Sequence, residues 1–205
     1  IASGKVSIKL AVLYALTICF LAFLVLINFN LFTIILAFGS MPLAFTYPMM
    51  KRFTYWPQLF LGITFNYGLI LGWTSVNGEI SLAPLLFYLG AIFWTLGYDT
   101  IYGYQDIKDD EIIGLKSTSI KFKGKAKKFL FSCYVCFLIF FLAGGYYMNF
   151  NKIYYLLSLI PFAHLFFYQI KIFNLDNPKT CFQAFKSNNI FGLIIFLDIL
   201  IIKNI

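Results

Sequence analysis

Charge is what this chain lacks most. Only 12% of its 205 residues are Asp, Glu, Lys or Arg, and just eight are acidic. With a mean hydropathy of +0.83, that scarcity excludes a soluble globular domain and leaves a polytopic membrane protein. Histidine occurs once, at His164, so a His-rich metal centre and an H-E-x-x-H zinc site are both excluded. There is no G-x-x-x-x-G-K-[ST] phosphate loop, no serine elbow and no visible internal repeat. The four cysteines set no framework. Cys133 and Cys136 form a C-x-x-C inside an apolar run without a second pair, and read as small apolar residues of a helix. His164 also lies in an apolar run and reads as a satisfied bundle residue.

Long apolar runs are what the chain has instead. Seven stretches are long or apolar enough to span a bilayer: 8–27, 31–50, 57–73, 80–98, 129–148, 153–172 and a short last one, 190–202. The fold class is therefore all-α, a transmembrane helix bundle in one domain over residues 1–205. Alternating the loops puts 14 of the 16 basic residues on one side, which predicts that 51–56, 99–128 and 173–189 are cytoplasmic. The Lys-rich segment 121–128, KFKGKAKK, reads as a contact with anionic lipid at the bilayer surface and not as a nucleic-acid site. Asp198 falls inside the last span. A charge at a helix centre costs about 2.5–3.5 kcal/mol, so this one is expected near the membrane edge or facing the bundle.

Five of the eight acidic residues crowd into Tyr98–Thr118, YDTIYGYQDIKDDEIIGLKST. Read as a helix continuing at ~100° per residue, Asp99, Asp106 and Asp110 share one face within about 40°, and Asp109 sits about 80° aside. Carboxylates so placed repel one another and call for a cation. Hard oxygen ligands with no His or Cys nearby point to Mg²⁺ (or Ca²⁺) completed by substrate phosphate. The plainer reading is a solvated loop whose acids pair with its lysines. Lys51, Arg52 and Lys116 approach the same membrane face, an arrangement suited to a metal-bridged diphosphate carried on a lipid tail.

Three blocks resemble the UbiA-type intramembrane prenyltransferases. Tyr47–Phe65 (YPMMKRFTYWPQLFLGITF) is similar to the family's Y-P-x-x-K-R-x-T-x-x-P-Q segment. Tyr98–Thr118 resembles its second aspartate-rich motif, Y-D-T-x-Y…D-x-x-D-D…G-x-K-S-T. Cys181–Phe196 (CFQAFKSNNIFGLIIF) resembles its C-F-x-A-F-x-x-N-N signature. The Y-D-T-x-Y form and the last signature resemble those members that prenylate 4-hydroxybenzoate, rather than members with naphthoate, haem or chlorophyll-type acceptors. A non-catalytic membrane protein, either a transporter or an inactive remnant, is the reading from a different class.

The resemblance implies Mg²⁺-dependent transfer of a polyprenyl group from polyprenyl diphosphate to the ring carbon ortho to the hydroxyl of 4-hydroxybenzoate, a step of ubiquinone biosynthesis. It implies metal-linked carboxylates at Asp106 and Asp110, with Asp109 and Asp99 beside them, and diphosphate contacts at Lys51, Arg52 and Lys116. Tyr102 and Tyr104 would offer aromatic faces to the allylic cation. The implied setting is a bacterial inner membrane. Family members are nine-helix bundles with two aspartate-rich motifs. The chain opens on Ile1, and Ile1–Gly4 resembles the L-A-S-G after the first motif. The expectation is therefore a chain that begins inside a longer protein, lacks the first two helices and is inactive by itself.

Overall fold

A computed structural model describes residues 4–203. The Ile1-Ala2-Ser3 part of the resemblance just given lies outside the described residues. Among those residues all regular structure is helical, and seven helical stretches are long and apolar enough to cross a bilayer. The chain is a multi-pass membrane protein.

The first span is α1 (Ile8–Leu26), capped by Ser7, whose side chain accepts from the Leu10 amide. It buries no residue against the rest of the described chain, so its side chains are free to meet lipid. The second span opens with α2 (Leu31–Thr46), capped by Asn30. Asn30 also donates to the Thr74 carbonyl at 2.7 Å, and Thr33 and Thr74 share a buried hydrogen bond. These bonds tie the α1–α2 turn to the third span, which is α3 (Pro57–Phe65) and α4 (Tyr67–Asn77). The joint is Asn66, whose side-chain amide donates to the carbonyls of Gly62 and Ala91 and to Thr95 Oγ1. A chain break inside a membrane needs such internal partners, because lipid supplies none.

The centre of the bundle is α5 (Leu82–Gly103) packed along α7 (Ala126–Tyr147). Leu96, Cys133, Tyr134, Phe137 and Phe141 form its core with Phe191 from the last span. Gly97 is what allows this approach, because a Cβ there would run into the Tyr134 ring. The sixth span begins as α8 (Lys152–Ala163) and passes into a π-helical turn, His164–Gln169, just after Pro161. His164 sits here half-buried, 3.1 Å from Ser187 Oγ and against the rings of Tyr168 and Phe191, as a bundle residue should.

Two expectations need correction. The last span is not short: α9 (Pro178–Lys186) and α10 (Asn188–Lys203) make it a broken helix, so the loop before it is only 173–177. The start was hidden because α9 is polar on one face while Cys181 and Ala184 on the other are buried. Its signal is Asn177 capping the Lys179 amide, with Pro178 in the first turn. Second, the acidic stretch is not one continuing helix. The helix α5 stops at Gly103, and α6 (Ile107–Ile112) starts afresh after Tyr104, Gln105 and Asp106. Tyr104, only 2% exposed, turns into the core below the loops against Phe173, where burial pushes its phenol pKa up. It is not a wall of the acidic site. Asp198 lies buried toward the bundle, the second of the two placements considered for it.

Candidate active site at the acidic loop

Three loops meet at one end of the bundle, as the alternation of spans requires. The Lys116 amide donates to the Lys51 carbonyl at 2.8 Å, and Lys116 Nζ reaches the Phe53 carbonyl at 3.4 Å. Lys51 Nζ sits 3.2 Å from Asp110 Oδ2. Asp110 is 6% exposed, and a carboxylate that deep needs a counter-charge. Lys51 also lies within electrostatic reach of Asp99, which projects from the end of α5. Asp106 stands one helical turn before Asp110, linked through the Asp110 amide to the Asp106 carbonyl at 2.9 Å. Asp106, Asp109, Arg52 and Tyr102 are exposed, the Tyr102 ring lying 4.7 Å from that of Phe185.

The structure therefore joins Asp110, Lys51 and the Lys116 backbone, with Asp99 behind them and Asp106 beside them. Asp109 points elsewhere on the exposed surface of α6, and Glu111 pairs with Lys123 at 2.9 Å. Among the described residues, no three Asp, Glu, His or Cys side chains converge on one point. The set does not make an all-protein metal cage. Two carboxylates one turn apart do suit Mg²⁺, which keeps only one or two carboxylates when phosphate oxygens complete its shell.

What holds this loop in place was not visible as function in the sequence. Gln58, 3% exposed, accepts from the Thr118 amide at 3.0 Å. Thr100 and Thr118 share a buried 2.6 Å hydrogen bond, and Ser119 Oγ donates to the Thr100 carbonyl at 2.8 Å. Gly103 lets Ser119 approach, since a Cβ there would collide with Ser119 Oγ. The Gln of P-Q and the Ser and Thr residues after Lys116 are thus fasteners between two loops. Their pairing across about sixty residues is a contact that one sequence cannot display.

Below the site lies an apolar cavity of about 640 Å³ between α4, α5, α7 and α10. On α5 it is lined by Pro84, Phe87, Ala91 and Trp94. That spacing is one helix face, and the same face continues through Tyr98 and Tyr102 to the acidic loop. The site is charged at its mouth and dry beneath, which suits a head group of concentrated negative charge on an apolar tail.

The sequence model of the UbiA prenyltransferase family matches residues 1–194. The chain is 41% identical over 202 residues to the mitochondrial 4-hydroxybenzoate polyprenyltransferase of Drosophila melanogaster, covering 98% of this chain and 51% of that protein. It is 44% identical over 182 residues to the protein of the same name from Bos taurus, covering 88% and 49%. The chain spans about half the length of these curated relatives. An apo UbiA homolog from Aeropyrum pernix K1 shares the fold with a TM-score of 0.70 at 22% identity, over 96% of this chain and 75% of that one.

Proposed function

This chain belongs to the UbiA prenyltransferase family, and from that premise we propose that it serves transfer of a polyprenyl group from polyprenyl diphosphate to 4-hydroxybenzoate, in ubiquinone biosynthesis. The observation that carries this reading is the Lys51–Asp110 pair, which ties the two charged loops together at the end of α5, the helix whose face lines the apolar cavity deeper in the bundle. The acceptor is taken from relatives whose names specify it.

In this reading Lys51, Arg52 and Lys116 bind the diphosphate oxygens, with Lys51 held on station by Asp110. Asp106 and Asp110 would hold Mg²⁺, with Asp99 and Asp109 adding negative charge nearby. When bound, the metal neutralises phosphate oxygens and eases departure of the diphosphate. The bond from the allylic carbon to oxygen breaks, and the electron pair leaves with the diphosphate. The cation that remains is met by the face of Tyr102, backed by Phe185. The ring carbon ortho to the acceptor's hydroxyl forms the new bond and then loses its proton to the departed diphosphate. The apolar walls below keep water from the cation. Stabilising the departing charge is the main catalytic contribution, since departure is most of the chemistry.

The 14-to-2 basic asymmetry supports a cytoplasmic placement of the loop end, and a bacterial inner membrane is the setting this reading supposes. The animal relatives carry the word mitochondrial in their names, which describes their own compartment. The test of the reaction is direct. Membranes containing the full-length protein are incubated with 4-hydroxybenzoate, Mg²⁺ and a polyprenyl diphosphate, and the products are weighed by mass spectrometry. A ring-prenylated acid with matching diphosphate release is expected. Unchanged substrates alongside a well-inserted protein would refute the proposal.

A further inference from the structure

The last signature block, CFQAFKSNN, enters the chemistry just described only through Phe185, yet it reaches deep into the bundle. Asn188 opens α10 at the break after Ser187 and is 9% exposed. Its amide nitrogen is held by the carbonyls of Phe185 at 2.8 Å and Ala184 at 3.3 Å. That fixes the amide's orientation and leaves Oδ1 as an acceptor, which takes the indole N–H of Trp94 at 2.9 Å. A buried Trp N–H wants such a partner, and lipid has none to give.

The bond therefore sets where the indole plane lies. Its ring packs 4.8 Å from Phe191 and 5.1 Å from Tyr98. Trp94 is also the residue of α5 nearest the acidic loop that still lines the apolar cavity. From Tyr102 to Trp94 the helix rises about 12 Å. A short allylic chain whose diphosphate lies among Lys51, Asp106 and Asp110 ends near that level. A long chain has to pass the indole to enter the cavity.

We propose that Trp94 is a specificity-determining residue, the sill over which long prenyl chains enter the cavity, and that Asn188 is its positioning residue. This rests on the prenyl-transfer reading above and adds the chain length that the site selects. Contact with the indole face favours long donors, and Asn188 keeps that face along the passage instead of across it.

The experiment compares kcat/KM for geranyl diphosphate and for octaprenyl diphosphate in the full-length protein, with 4-hydroxybenzoate as acceptor. Asn188→Leu should lower the octaprenyl-to-geranyl ratio by about tenfold, mainly through the octaprenyl KM, as loss of binding along the chain does. Trp94→Phe removes the N–H that needs Asn188. In that background Asn188→Leu should leave the ratio unchanged, which is coupling of the kind a mutant cycle isolates. Elution as a single species in detergent checks that each variant is folded. Equal losses for both donors, a ratio that does not move, or the same Asn188→Leu effect in both backgrounds would overturn the proposal. Failure of the wild-type protein to consume either donor would instead refute the prenyl-transfer reading on which it rests.

Discussion

At the scale of residues, Asp110 and Lys51 are the pair on which the site depends. Asp110 is buried and its charge is met by Lys51 at 3.2 Å, while Lys51 itself stays 43% exposed and can turn toward a ligand. Removing either partner strands the other and, in the proposed reaction, removes a contact to the departing charge. Lys51→Met and Asp110→Asn should each lower prenyl transfer by roughly a hundredfold, and the double variant by much less than the product of the two. Initial rates of diphosphate release measure this. Fully additive losses would mean that the two side chains act independently. Asp106, Asp110, Lys51 and Lys116 were legible in the sequence because charge is so scarce that a cluster of it stands out. Gln58 and Tyr104 were not: an uncharged side chain shows its partner only once the chain is folded, and Tyr104 went to the loop core because Phe173 offered it a buried face.

At the scale of elements, the spans were legible and their breaks were not. Apolar length marks a membrane helix, but Asn66, Ser187 and the π turn at His164–Gln169 each rest on ordinary residues that take hydrogen bonds from or give them to other helices. The stop at Gly103 is the break that shapes the site. It separates α5 from α6 and brings Ser119 against the helix end, where a side chain on residue 103 would displace it. Gly103→Ala should therefore cost about 1–3 kcal/mol by overpacking and loosen the acidic loop. Gly124→Ala, at a position with open space around it, should be close to neutral. Thermal unfolding in detergent, read beside the transfer rate, separates the two. Equal midpoints would show that the loop does not need the close approach at Gly103.

At the scale of the whole molecule, alternation of the seven candidate spans among the described residues brings three loops to one end, where the lysines gather. The hydrogen bonds among Lys51, Phe53 and Lys116 hold two of these loops together. Sidedness follows from the basic residues and can be read with single cysteines after the four native ones are replaced. The exposed positions Ile113 and Glu79 suit this. Ile113→Cys should label only from the cytoplasmic side and Glu79→Cys only from the other. Labelling of both from one side would overturn the topology.

In the proposed reaction diphosphate leaves at Asp106 and Asp110 with Mg²⁺ neutralising it. The measurement that reaches this step most directly is a Mg²⁺ titration of diphosphate release from polyprenyl diphosphate, in the presence of 4-hydroxybenzoate. It compares the full-length protein with its Asp106→Ala and Asp110→Ala variants, each first shown to insert normally. Release should vanish on chelation, and the variants should lose most activity, with whatever remains needing far more Mg²⁺. Near-normal release by either variant at limiting Mg²⁺ would contradict this step.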